Sequence, residues 1–169
     1  MGSVGQTVPL GVEEEAGDLQ TEYLRALTLV ERLHRQLLDV IKDELDRRGQ
    51  SDINSVQALL IFNIGDQELT AGELRSRGHY LGSNVSYNLK KLVEAGYIHH
   101  ERSDVDRRSV RVSLTQTGRE IRDTISALYE HHLESIEPVG GVTANDFAQM
   151  NLVLQRLERF WGDQIRYRL

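Results

Sequence analysis

The stretch GHYLGSNVSYNLKKLVEAGYIHHERSDVDRRSVRVSL, residues 78–114, changes its hydrophobic period part-way along. Apolar residues first recur every three or four positions, as at Val85 and Leu89, and later at every second position, as at Val110 and Val112. The first spacing is typical of an amphipathic helix, and the second is typical of a half-buried strand. Because the polar segment DVDRR interrupts the second pattern, the stretch predicts a helix followed by a hairpin with a charged tip.

Further helices are predicted on both sides of this stretch. Apolar residues in steps of three and four predict a long helix from Leu19 to Arg48, ended by Gly49. Later helices are announced by Asp52 as an N-cap, by TAGE from Thr70, by TGRE from Thr117 and by TAND from Thr143. The predicted fold class is therefore mainly α with a small β-hairpin.

The charge is unevenly distributed along the chain. The net charge is −6, yet residues 70–119 hold nine Lys or Arg against five Asp or Glu, and the remainder holds eleven against twenty-one. A basic centre within acidic flanks indicates a local surface for phosphates, although a solvated charged face would have the same composition. The composition alone leaves both interpretations open.

Several classes of protein are disfavoured by what the sequence lacks. The chain has no cysteine, which excludes disulfides and Cys-ligated zinc, and its six histidines never stand four apart as two ligands on one helix face would. No Gly-rich phosphate loop follows a strand, so we predict neither an enzyme nor a metal or cofactor site. No apolar run reaches the roughly 20 residues of a membrane span, and we expect a cytoplasmic protein without a membrane partner.

The helix beginning near Ser83 has a polar outward face that suits double-stranded DNA. A major groove admits one α-helix, and side chains near its N-terminus distinguish base edges by hydrogen bonds. Asn can pair with adenine, Ser can serve either base, and Lys can hold the phosphate backbone. The predicted DNA-binding residues of this helix are Ser83, Asn84, Ser86, Tyr87, Asn88, Lys90 and Lys91.

The hairpin tip suits the neighbouring minor groove, whose negative potential accepts an extended Arg. Arg107 or Arg108 is the candidate probe, and Asp106 is interpreted as the carboxylate that pairs with an Arg and fixes its direction. Arg111, on the outward side of the second strand, completes the predicted DNA-binding residues of the hairpin.

A family resemblance supports this interpretation. SDVDRRSVRVSLTQTGRE resembles the wing and the following helix start of the MarR family of transcriptional regulators, and LTQTG matches the Leu-Thr-x-x-Gly stretch of that family. The resemblance is specific over about residues 52–122 and implies a winged helix-turn-helix. It assigns the bracing role to Asp106 and the minor-groove role to Arg108. GHYLGSNVSYNLKKL is also similar to the LdtR-like branch, which is linked to L,D-transpeptidase genes and cell-envelope stress.

The resemblance further implies a homodimer in which the terminal helices of two chains intertwine, and a repressor released from its operator by a ligand. The terminal helices carry more large apolar side chains than one small core needs, which also favours a dimer. The expected domains are a flexible tail over 1–17, an N-terminal dimerisation helix over 18–50, a DNA-binding lobe over 51–116 and C-terminal linker and dimerisation helices over 117–169. The residues expected to line a cleft for a small aromatic effector are Tyr23, Leu27, His34, Phe62 and Tyr129, although core packing explains most of them equally well.

Two other functions fit the same pattern. A winged helix can serve as a protein–protein interaction module, and a DNA-binding chain can act as a sequence-indifferent architectural protein. Binding to several phosphates must weaken steeply with salt, whereas binding to a protein need not.

Overall fold

A computed structural model of the protein describes residues 17–78, 82–102 and 110–167. Within these ranges the chain forms six helices and one three-stranded sheet, which confirms the predicted fold class. In chain order the elements are α1 Leu19–Arg47, α2 Ser55–Ile64, β1 Leu69–Thr70, α3 Ala71–Gly78, α4 Gly82–Glu94, β2 Ile98–Arg102, β3 Val110–Leu114, α5 Gln116–Ile136 and α6 Ala144–Tyr167. Nearly all of the predicted tail, residues 1–16, lies outside the described residues.

The chain divides into two compact units, Met1–Val40 and Ile41–Leu169, with the division inside α1. In the first unit, Asp18 caps the start of α1: its carboxylate accepts hydrogen bonds from the backbone N–H of Thr21 (3.1 Å) and of Gln20 (2.9 Å). These bonds, above all the one from Thr21, hold the pKa of Asp18 below its usual range. The cap satisfies N–H groups that the first helical turn leaves unpaired.

The core of the second unit lies between α2 and α5, with the C-terminal part of α1 contributing Ile41 and Leu45. Buried aliphatic side chains from both helices fill it, because α2 is apolar around most of its circumference and α5 has one apolar face. The buried hydrophobic residues of the two helices are Ala58, Leu60, Ile61, Ile64, Ile121, Ile125 and Leu128.

Two of the predicted helix caps are confirmed. Thr70 and Glu73 form a reciprocal box, in which the Glu73 N–H donates to the Thr70 hydroxyl (3.1 Å) and the Thr70 N–H donates to the Glu73 carboxylate (2.7 Å). Thr143 and Asp146 form the same arrangement at the start of α6. The Thr143 hydroxyl, followed by its backbone N–H, holds the pKa of Asp146 below its usual range.

Two other predicted caps are wrong by a few residues. α2 is capped by Asn54, which forms a reciprocal box with Gln57, and not by Asp52. α5 is capped by Thr115, whose hydroxyl accepts from the Gly118 N–H (3.1 Å), and not by Thr117. In both places several residues able to cap stand close together, and tertiary contacts select between them.

The sheet is antiparallel in the order β1-β3-β2. Ile98 pairs with Leu114 and Arg102 with Val110, so β2 and β3 are the arms of the predicted hairpin, and the tip, residues 103–109, lies outside the described residues. Val112 and Leu114 are buried as the alternation predicted. β1 was not predicted, because two residues carry no periodic signal. In the described part of the chain, no helix is both long enough and apolar enough to span a membrane.

Candidate nucleic-acid interface

α4 presents one apolar side to the core and one polar side to solvent. Val85, Leu89 and Leu92 are at most 7% exposed, which fixes the rotation of the helix about its axis. Since successive residues turn by about 100°, the opposite side must face outward. The exposed polar or amphipathic residues of α4 are Asn84, Ser86, Tyr87, Lys90, Lys91 and Glu94, and Asn88 is half-buried. Ser83 falls in the first turn of α4, but its side chain lies outside the described set.

Several exposed side chains of α4 contact each other three or four residues apart along the helix. The Lys91 ammonium lies 6.0 Å from the centroid of the Tyr87 ring, at the outer limit of a cation–π contact. The same ammonium donates to the Glu94 carboxylate over 3.3 Å, and Lys90 lies 3.9 Å from Glu94. Glu94 was not among the predicted site residues, although its spacing of three and four from the lysines is visible in the sequence. In the free protein it partly neutralises both cations.

At the first turns of the helix, the Asn88 side-chain amide donates to the backbone oxygen of Asn84 over 2.9 Å. The Asn84 side chain takes no part in this bond and is exposed at the outward face. Asn84, Tyr87 and Lys91 therefore point to solvent together, as the sequence predicted.

The hairpin is described only at its base. Asp106, Arg107 and Arg108 lie outside the described residues. Arg111 is exposed on β3 opposite Glu101, and its guanidinium lies 3.4 Å from the carboxylate of Glu68. The pairing with Glu68 joins positions 43 residues apart and could not be read from the sequence.

The comparisons with known proteins agree with this arrangement. A family model described as the MarR family matches residues 51–109. The chain is also 32% identical over 155 residues to ExpG of Rhizobium meliloti (strain 1021), a transcriptional activator of exopolysaccharide II synthesis; the match covers 92% of this chain and 79% of ExpG. The chain belongs to the MarR family. It is a MarR-type DNA-binding transcriptional regulator, and the expectation that it is not an enzyme is confirmed by this membership.

Two solved structures show the same MarR fold. A mutant of MarR from E. coli complexed with operator DNA has a TM-score of 0.66 at 22% identity, with 83% of this chain and 99% of that chain covered. FabT of Streptococcus pneumoniae in complex with DNA has a TM-score of 0.62 at 26% identity, with 83% and 98% covered. The long terminal helices and the small sheet are thus those of a MarR-type winged helix.

The residues predicted to line an effector cleft fall in both units of this MarR-family chain. In the second unit, the rings of Phe62 and Tyr129 meet edge to face, with centroids 5.1 Å apart and an interplanar angle of 83°. In the first unit, Tyr23 and His34 are exposed and Leu27 is half-buried. Among the described residues, no group of three His, Asp or Glu side chains is placed to hold a metal ion.

Proposed function

We propose that the protein binds a pseudo-palindromic DNA operator as a homodimer, with α4 of each chain in a major groove. The observation that carries the proposal is the outward face of α4, where Asn84, Tyr87 and Lys91 are exposed opposite buried Val85 and Leu89. These side chains include a base-pairing amide, an amphipathic ring and a cation. The DNA complexes of MarR and FabT, two proteins of the same fold, support the proposal.

The remaining predicted contacts are assigned within this proposal. When DNA binds, Lys90 and Lys91 leave the Glu94 carboxylate and contact phosphates instead. Ser83, Ser86 and Asn88 are assigned to contacts on or beside the reading face. At the wing, Arg108, or its neighbour Arg107, enters the minor groove with Asp106 as its brace, and Arg111 contacts the backbone beside it.

The homodimer is supported by the apolar side chains that each terminal helix leaves exposed. None of the described residues of α6 is buried. Three of its large apolar side chains, Val153, Phe160 and Ile165, are 54%, 53% and 80% exposed. In the first unit, Leu24 and Leu33 of α1 are 53% and 56% exposed. Apolar stripes of this width mark an interface. A two-fold dimer would present its two reading helices about 34 Å apart, which is one turn of DNA.

The regulatory outcome depends on where the operator lies. The resemblance to the MarR family implies a ligand-responsive repressor, whereas the relative ExpG is named as an activator. The same dimer represses when its operator overlaps a promoter and activates when it recruits polymerase from beside one. We propose that the effector is a small aromatic compound that binds near residues such as Phe62 and Tyr129. We also propose that the protein is an LdtR-like regulator, that it acts in the cytoplasm, and that its targets are genes of the cell envelope.

Recovery of bound fragments from a pool of random duplexes tests this function. We expect enrichment of a two-fold symmetric site, and an affinity for it that falls steeply between 50 and 200 mM salt, as expected for several phosphate contacts. Equal affinity for all duplexes would identify an architectural protein, and absence of binding to any duplex would favour a protein-interaction module. A screen for small aromatic compounds that release the enriched duplex then tests the effector.

A further inference from the structure

Tyr97 joins the end of α4 to two other elements. Gly96 ends the helix with a φ of +80°, and the Tyr97 N–H donates back to the Leu92 oxygen over 2.9 Å, which closes a Schellman motif. The Tyr97 carbonyl accepts from the Thr115 N–H at the start of α5 over 3.0 Å. Its hydroxyl donates to the Asp52 carboxylate in the loop before α2 over 2.6 Å. One buried residue thus bonds to three separate parts of the lobe.

The bond between Tyr97 and Asp52 is not needed by the local structure. Asn54 already caps α2, so Asp52 has no role in starting that helix. The bond joins residues 45 apart in a partly buried place, and Tyr97 is only 4% exposed. Burial, and then the bond to Asp52, raise the pKa of Tyr97 to about 12. A tyrosine hydroxyl is protonated at neutral pH in any case, and the raised pKa keeps this one a hydrogen-bond donor in mildly alkaline solution as well.

We propose that Tyr97 and Asp52 are positioning residues, whose hydrogen bond fixes the tilt of α4 so that its N-terminal side chains meet base edges. This inference rests on the proposed function. Neither residue lies on the reading face; both act at the far end of the helix that carries it.

The length of α4 explains why a bond at its C-terminal end affects the position of its N-terminal side chains. Asn84 lies ten residues before Glu94, which is about 15 Å along a helix. A tilt of about 5° at the exit would move Asn84 by about 1.3 Å, whereas hydrogen bonds tolerate only about 0.5 Å. Contacts of flexible lysines with phosphates tolerate such a shift. Loss of the bond should therefore weaken sequence-specific binding more than non-specific binding.

The test compares the affinity for the enriched operator with that for a random duplex, using full-length protein at a temperature where circular dichroism shows every variant folded. We expect Tyr97→Phe and Asp52→Ala each to lower the ratio of the two affinities by about fivefold to tenfold, since a smaller fraction of molecules holds the competent arrangement. The double variant should be no worse than either single variant. Asp52→Asn keeps an acceptor oxygen and should restore most of the ratio.

Thr124→Val is the matched control. It removes a buried hydroxyl, whose partner is the Glu120 backbone oxygen of the same helix at 3.0 Å. It should lower the melting temperature and leave the affinity ratio unchanged.

An unchanged ratio in Tyr97→Phe, or effects of the two single variants that add in the double variant, would overturn the positioning role. If the wild type itself does not discriminate between the duplexes, the proposed function fails and this inference fails with it. If the wild type discriminates and Tyr97→Phe does so equally well, only the positioning role is lost.

Discussion

At Gly118 there is no room for a side chain, because a Cβ atom would overlap the Tyr97 carbonyl oxygen. Three residues earlier, Thr115 caps α5 and also donates its hydroxyl to the Gly96 oxygen over 2.7 Å. The LTQTG stretch thus performs two tasks: Thr starts the helix, and Gly lets the end of α4 approach it. In this chain, the motif that carries the family resemblance has these two physical roles.

Gly118→Ala should therefore destabilise the protein, although Ala is the better helix former. We expect a loss of about 1–3 kcal/mol in the free energy of unfolding, since backbone must move to admit the methyl group. Gly72→Ala is the control, because a Cβ there meets nothing closer than the Thr70 hydroxyl at 3.8 Å. It should be neutral or stabilising by up to about 1 kcal/mol. Urea titrations of both variants measure the difference, and equal stabilities would contradict the close packing at Gly118.

At the scale of single elements, the outward side chains of α4 should fall into two classes. Asn84→Ala and Tyr87→Phe should change the preference among operator variants, because each removes a group able to read base edges. Lys90→Ala should weaken all duplexes alike and reduce the salt slope by about one, as loss of one phosphate contact does. Competition titrations against a panel of single-base operator variants separate the two classes. Unchanged discrimination in the Asn84 and Tyr87 variants would remove their reading role.

The helices and the two arms of the hairpin were predictable because periodicity is a local property of the sequence. Which of several neighbouring residues caps a helix was not predictable, because it depends on residues distant in the sequence. Asp52 accepts a hydrogen bond from the Tyr97 hydroxyl, and the Thr115 hydroxyl donates to the Gly96 oxygen. The pairing of β1 with β3 and the contact of Arg111 with Glu68 likewise join distant residues. The outward face of α4 could be predicted, since one buried side fixes the other. The hydrogen bond between Tyr97 and Asp52, at the C-terminal end of α4, could not be predicted.

At the scale of the whole molecule, the apolar stripe of α6 is a surface that the proposed homodimer would bury. Val153, Leu157 and Phe160 lie on one side of this helix when it is plotted at 100° per residue, together with Trp161. Leu152 is 49% exposed, but it points about 125° away from the middle of that stripe. A charge can therefore be introduced within the stripe, at Phe160, and outside it, at Leu152, on the same helix.

Phe160→Glu should convert the proposed homodimer to a monomer, because a carboxylate buried in an apolar interface loses its hydration without gaining a partner. The monomer keeps one reading helix, so operator affinity should fall by about 10²-fold or more with the loss of bivalent binding. Leu152→Glu adds the same charge off the stripe and should leave both the dimer and its affinity unchanged. Sedimentation equilibrium gives the mass of each variant, and operator titration gives its affinity. A dimeric Phe160→Glu variant with wild-type affinity would show that this stripe is not the dimer interface, and dissociation of both variants would show that the interface extends around the helix.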